Sequence, residues 1–161
     1  FFGCTLHPFR RMATAILYFN RNRIMARILA IDYGKKRTGI AVTDPLQIIA
    51  SGLTTIASND LISFLKKYLV AEAVELMVIG MPVNLDDTDT HATPLVKAVI
   101  KKLKLEFPNI PITEVDERFT SKMAKDAMLQ MGLKKKQRRD KKIVDEIAAA
   151  IMLQEYLNTN I

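Results

Sequence analysis

The sequence predicts an α/β domain built on a mixed five-stranded sheet flanked by helices on both faces. Between Met25 and Ala57 three short apolar runs follow one another with turn signals between them and no helical period. From Leu61 onward, helical stripes alternate with further short apolar runs. Leu76–Ile79 is apolar throughout, as a strand covered on both faces should be. A meander followed by right-handed crossovers gives the mixed sheet. At 161 residues, with no internal repeat or linker, the chain predicts one domain with a real core.

Arg27 to Asp32 forms the first strand, Tyr33-Gly34-Lys35-Lys36-Arg37 its turn, and Thr38 to Thr43 the returning strand. Gly52 to Ala57 is the third. Ser58 or Asn59 is placed to cap a helix from about Asp60 to Ala73, with Leu61, Phe64, Leu65, Tyr68 and Leu69 as its apolar stripe. The strand Leu76–Ile79 leads to a polar loop, Gly80 to Thr90. Thr93-Pro94 suits a cap and first helical position within a helix covering about His91 to Glu106. Pro111 to Val115 is the fifth strand. A third helix starts after a Thr120 or Ser121 cap, runs to Met131 and stops at Gly132. The last helix spans about Asp140 to Leu157.

Hydrophobic residues make up 49% and charged residues 25%, an ordinary globular composition. No run approaches the ~18 apolar residues of a membrane span. Cys4 is the single cysteine, which excludes an internal disulfide framework and a metal-binding Cys pair and points to a reducing, cytoplasmic setting. Net charge is +7, from 24 Lys and Arg against 17 Asp and Glu. Residues 1–24 hold Arg10, Arg11, Arg21 and Arg23 and no acid, so the remainder is 20 against 17, or +3. That acid-free lead is read as a poorly ordered extension, with the working domain at 25–161, starting near Met25. A second concentration of charge, Lys134 to Lys142, is interrupted only by Gln137 and Asp140. Its place just before an acid-bearing helix suits a phosphate-contacting surface.

Three stretches carry the chemistry: Ile31-Asp32-Tyr33-Gly34, Val115-Asp116-Glu117-Arg118 and Ile143-Val144-Asp145-Glu146. Each sets an acid at or beside the end of an apolar run, where a fold can gather distant carboxylates at a sheet rim. Clustered carboxylates repel unless a hard cation such as Mg²⁺ binds among them. That arrangement suits metal-assisted phosphodiester cleavage, and the basic surplus suits a polyanionic substrate. Each acid also has a local alternative. Asp32 before a glycine turn can bond its own backbone, and Arg118 can neutralise Asp116 or Glu117. Along the last helix, Ile143, Val144, Ile147, Ala148 and Ile151 form the stripe expected to meet the sheet. Asp145 and Glu146 flank that stripe on either side, so periodicity does not choose between them. Asp86, Asp87 and Asp89 lack the Gly and closing Glu of a calcium loop. His7 and His91 have no partners for a zinc site.

Assembled, these motifs resemble the YqgF, or RuvX-like, family. The matching stretches are Ala30 to Asp44 (AIDYGKKRTGIAVTD), Val78-Ile79-Gly80-Met81-Pro82, Asp116-Glu117-Arg118-Phe119-Thr120-Ser121, and Val144-Asp145-Glu146-Ile147-Ala148-Ala149. They occur in family order and cover about Met25 to Leu157. Asp87 departs from the pattern, standing where the family more often has glycine. The resemblance implies a ribonuclease-H-like fold and a role in maturing the 5′ end of the 16S ribosomal RNA precursor in the bacterial cytoplasm. It matches Asp32, Glu117 and Asp145 to the family's acids, as ligands of Mg²⁺ or Mn²⁺, and Lys36, Arg37 and Arg118 to its basic positions.

The expected enzyme is thus a metal-dependent nuclease of structured RNA, acting on the precursor or the pre-ribosomal particle as a monomer or weak homodimer. Asp32, Glu117 and Asp145 would hold the metal. Arg118 would offset phosphoryl charge. Lys36, Arg37, Lys134, Lys135, Lys136, Arg138 and Arg139 would hold the RNA backbone. Its rivals are a Holliday-junction-resolvase-like nuclease of branched DNA and a non-catalytic RNA-binding assembly factor. A phosphotransferase of the sugar-kinase and actin type is disfavoured, because such proteins bind nucleotide between two domains of this kind.

Overall fold

The computed structural model describes residues 26–82, 92–116 and 120–160, without the side chains of residues 120–122 and 125. These comprise β1 (Arg27–Tyr33), β2 (Arg37–Thr43), β3 (Ala50–Ala57), α1 (Leu61–Ala71), β4 (Val74–Met81), α2 (Thr93–Glu106), β5 (Ile112–Asp116), α3 (Thr120–Gln130) and α4 (Lys141–Asn160). The strand order is β3-β2-β1-β4-β5. β2 is antiparallel to both neighbours, whereas β1, β4 and β5 run parallel. This is the mixed five-stranded sheet expected from the element order. The N-terminal extension and the aspartate-bearing loop (Asp86, Asp87, Asp89) lie outside the described residues, as do His7, His91 and Cys4.

Alternation along the strands divides the core into two layers. Leu29 and Ile31 of β1, Ile40 and Val42 of β2, and Met77 and Ile79 of β4 pack with Leu61 and Leu65 of α1 and Val96, Ile100 and Leu103 of α2. On the opposite face Ile28, Ala30, Ala41 and Val78 meet Ala149, Met152, Leu153 and Leu157 of α4. The small residues Ala30 and Ala41 beneath α4 let the helix lie close to the sheet. α3 packs against α4 through Ala124 and Met128.

Element ends follow local chemistry. β4 extends beyond its apolar run to Val74 and Met81, because ladder pairing with β1 and β5 continues where apolarity stops. α3 closes on Gly132, whose φ of 68° is a left-handed conformation that favours glycine. There Gly132 N–H bonds the Leu129 carbonyl and Leu133 N–H bonds that of Met128, satisfying two helix-end carbonyls. The expected caps of α1 and α2 are replaced by other bonds. Ser58 is buried in a 3₁₀ turn (Ser58–Asp60) and bonds the β1–β2 turn, and the Thr93 hydroxyl donates to the Pro82 carbonyl.

Candidate active site

β1 delivers Asp32 to the end of the sheet. Ile28 and Ala30 face α4, and Leu29, Ile31 and Tyr33 face the other way, so alternation places Asp32 on the α4 side. Its partner across the antiparallel ladder is Gly39. The backbone of α4 settles on that glycine: a Cβ there would overlap the Asp145 carbonyl oxygen and lie 2.7 Å from its carbonyl carbon. Opposed Cα atoms in such a ladder are ~4.5–5.5 Å apart, so α4 brings the Asp145 backbone down on the ladder position next to Asp32. A glycine inside a strand is the sequence signal for close backbone approach, and at Gly39 the approaching group is Asp145.

The Asp145 carboxylate is directed along β2. Arg37, on the same face two residues before Gly39, donates from Nε to Asp145 Oδ2 at 2.8 Å. The two side chains are 34% and 28% exposed, so the pair is open to a ligand from solvent. Arg37, expected on the RNA path, is thus engaged with a candidate metal ligand. Lys36 stands exposed in the turn beside it.

Glu146 is separated from this pair. Its side chain lies over Gly52 of β3, where an added Cβ would sit 2.5 Å from Glu146 Cγ. Nearby, Thr55 Oγ1 of β3 donates to the Lys142 carbonyl and ties the first turn of α4 to the sheet edge. β3 lies two strands from β1, so the two adjacent acids of α4 serve different places, and Asp145 is the one beside Asp32.

The stripe that periodicity assigned to the sheet requires correction. Val144, Ile147, Ala148 and Ile151 meet α3, and the sheet is met by Ala149, Met152, Leu153 and Leu157. α4 carries two apolar faces, and a single-stripe reading cannot apportion them between two neighbours. Asp145 is therefore on the sheet-facing side rather than at the margin.

β5 separates the remaining acids. Val115 packs on the α4 side, whereas Asp116 pairs with Met81 on the opposite face and stands away from Asp32 and Asp145. Glu117 and Arg118 lie outside the described residues.

A hydrogen-bond network that sequence reading missed fixes the turn after Asp32. The buried Ser58 hydroxyl donates to the Gly34 carbonyl at 2.6 Å and accepts from Thr38 Oγ1 at 3.0 Å. Gly34 N–H bonds the Arg37 carbonyl at 3.0 Å, and Ser58 N–H bonds that of Lys36 at 3.2 Å. Ser58 had only the sequence signature of a helix cap.

Two carboxylates on one face fit the all-oxygen preference of Mg²⁺ or Mn²⁺. Among the described residues they are not joined by a third His, Cys, Asp or Glu. Before α4, Lys134, Lys135, Lys136 and Arg139 are exposed; Arg138 is half-buried, with its Nε lacking a partner among the described residues. Asp140 caps α4 by accepting the Lys142 N–H at 3.0 Å. No helix among the described residues is long and apolar enough to cross a membrane.

The family model described as "RuvX: Holliday junction resolvase" matches residues 26–159. A Flavobacterium psychrophilum protein named "Putative pre-16S rRNA nuclease" is 56% identical over 137 residues, which is 85% of this chain and 100% of that protein. A Porphyromonas gingivalis protein of the same name is 51% identical over 134 residues, covering 83% and 97%. Among solved structures, Thermus thermophilus RuvC in complex with a Holliday junction substrate aligns at TM-score 0.51 and 15% identity, covering 84% of this chain and 96% of that one. That likeness is one of fold, and the fold is ribonuclease-H-like.

Proposed function

The chain belongs to the RuvX family, and from that premise we propose that it is a metal-dependent nuclease processing the 5′ end of the 16S ribosomal RNA precursor. The observation that carries this reading is that the Asp145 backbone rests on Gly39, the ladder partner of Asp32, on the sheet face that Asp32 shares. The names of the relatives support the RNA substrate.

Asp32, Glu117 and Asp145 hold one or two Mg²⁺ or Mn²⁺ ions in this reading. A divalent ion bound there supplies Lewis-acid activation of water and charge stabilisation at the leaving oxygen. Arg118 offsets charge on the phosphoryl group. Lys36, Lys134, Lys135, Lys136, Arg138 and Arg139 hold the RNA backbone. Backbone contacts set register without reading sequence, so specificity comes from RNA shape or from the pre-ribosomal particle. The working domain is 25–161, and its setting is the cytoplasm.

The family description favours a second reading, cleavage of branched DNA. The deciding experiment maps the 5′ ends of ribosomal precursor fragments after incubation with wild-type protein or Asp145→Asn, beside a four-way DNA junction at equal salt and Mg²⁺. The RNA reading expects a new precursor 5′ end with wild type alone. Cleavage confined to the junction would move the assignment to DNA, and RNA binding without metal-dependent turnover would make the protein an assembly factor.

A further inference from the structure

We propose that Arg37 exchanges partners during the catalytic cycle, moving from the Asp145 carboxylate to an RNA phosphate, and so couples RNA binding to metal binding. The inference rests on the reading of Asp32 and Asp145 as metal ligands and goes beyond it by assigning a linkage between two ligands.

The Arg37–Asp145 pair is single-pronged: Nε alone reaches Oδ2, at 2.8 Å. The two terminal guanidinium nitrogens have no hydrogen-bond partner among the described residues, and the side chain is 34% exposed. A partly exposed guanidinium with two unbonded terminal nitrogens beside a carboxylate suits the forked geometry by which arginine grips phosphate. Release from Asp145 costs little, because water competes well for both members of a partly exposed, one-bond ion pair.

The same arrangement sets Arg37 against a divalent cation. Both are positive, and both are drawn to the Asp145 carboxylate, so each weakens the hold of the other. Gly39 fixes the Asp145 backbone against β2, and Arg37 is two residues away on that strand. With both backbones packed together, the exchange falls to the Arg37 side chain. A phosphate that draws Arg37 away leaves Asp145 to the metal. By thermodynamic reciprocity the metal must tighten RNA binding by the same factor.

Mn²⁺ binding to the full chain, read by electron paramagnetic resonance of the free ion, tests the first half. Arg37→Gln should bind Mn²⁺ about three- to tenfold more tightly than wild type. Arg37→Lys, which keeps the charge, should stay near wild type, and Asp145→Asn should lose at least about tenfold. The second half is read by fluorescence anisotropy of a labelled single-stranded RNA with and without Ca²⁺. Wild type should gain RNA affinity with Ca²⁺, and Arg37→Gln should lose most of that gain. If Asp145→Asn weakens Mn²⁺ binding but Arg37→Gln leaves it unchanged or weakens it, the metal site stands and the exchange is overturned, with Arg37 orienting Asp145 instead. If Asp145→Asn binds Mn²⁺ as wild type does, the metal site itself is wrong and the exchange falls with it.

Discussion

Gly39 and Asp145 meet backbone to backbone at the ladder position opposite Asp32. This meeting decides how deeply the first turns of α4 reach toward β1, and thereby the separation of two candidate metal ligands. A side chain at position 39 would act as a wedge between the strand and the helix.

Gly39→Ala should therefore cost about 1–3 kcal/mol of stability, the usual range for forced overpacking. It should also slow RNA cleavage about 100-fold, as displacement of a catalytic group by ~1 Å can do. Urea midpoints report the first effect, and cleavage rates of the still-folded variant report the second. A wild-type rate would show that the spacing of Asp32 and Asp145 is not critical.

Asp32→Asn preserves shape while removing a charge from the proposed ligand set. Loss of an outer-shell partner of a metal ligand typically costs 10–100-fold, so loss of a ligand should exceed ~100-fold in cleavage rate. Circular dichroism, and RNA anisotropy measured without divalent cation, should remain close to wild type. Undiminished cleavage would remove Asp32 from the mechanism.

Ser58→Ala tests the fastening of the turn that follows Asp32. The change leaves the Gly34 carbonyl and the Thr38 hydroxyl without their shared partner. Thr38 is fully buried, so the penalty should be about 1–3 kcal/mol in urea denaturation. Full stability would mean that water or relaxation replaces these bonds.

Asp44 links the fold to pH on the acid side. The backbone N–H of Ile49, then those of Ile48 and Leu46, hold its carboxyl below the ordinary aspartate range, with desolvation opposing. A depressed carboxyl stabilises the fold above its unfolded pKa of ~3.9, and that contribution fades as pH falls through the lower folded value. Asp44→Ala should thus be less stable than wild type at pH 7, and the gap in urea midpoint should narrow at pH 3. A gap that stays constant across this range would exclude the linkage.

The basic run before α4 has a prediction expressed in salt. Replacing Lys134, Lys135 and Lys136 by Ala should weaken RNA binding uniformly across sequences. The slope of log K against log salt should fall by ~0.7 for each single-strand phosphate that is no longer neutralised. Turnover at saturating RNA should be unaffected. An unchanged slope would place the run off the RNA path.

Local patterns were enough to place the strands and helices, because alternation, helical stripes and turn residues act over a few positions. Their ends were less legible. β3 begins at Ala50 and β4 reaches Met81 through ladder bonds to neighbouring strands, which local apolarity does not encode. The candidate acids were legible as residues at the ends of apolar runs. Their division into faces was not, because it depends on which element each run meets.

The amino-acid order by itself determined the fold class, the succession of elements, the basic run and the acids available to a metal. Tertiary structure decided that α4 turns Ala149 and Met152 to the sheet and Val144 and Ile147 to α3, that Asp145 rather than Glu146 comes to rest beside Asp32, and that Arg37 bonds Asp145. The physical reason is that a helix with two apolar faces has no preferred neighbour until the sheet and α3 are both in place. The absence of a side chain at Gly39 then sets how closely the helix can approach.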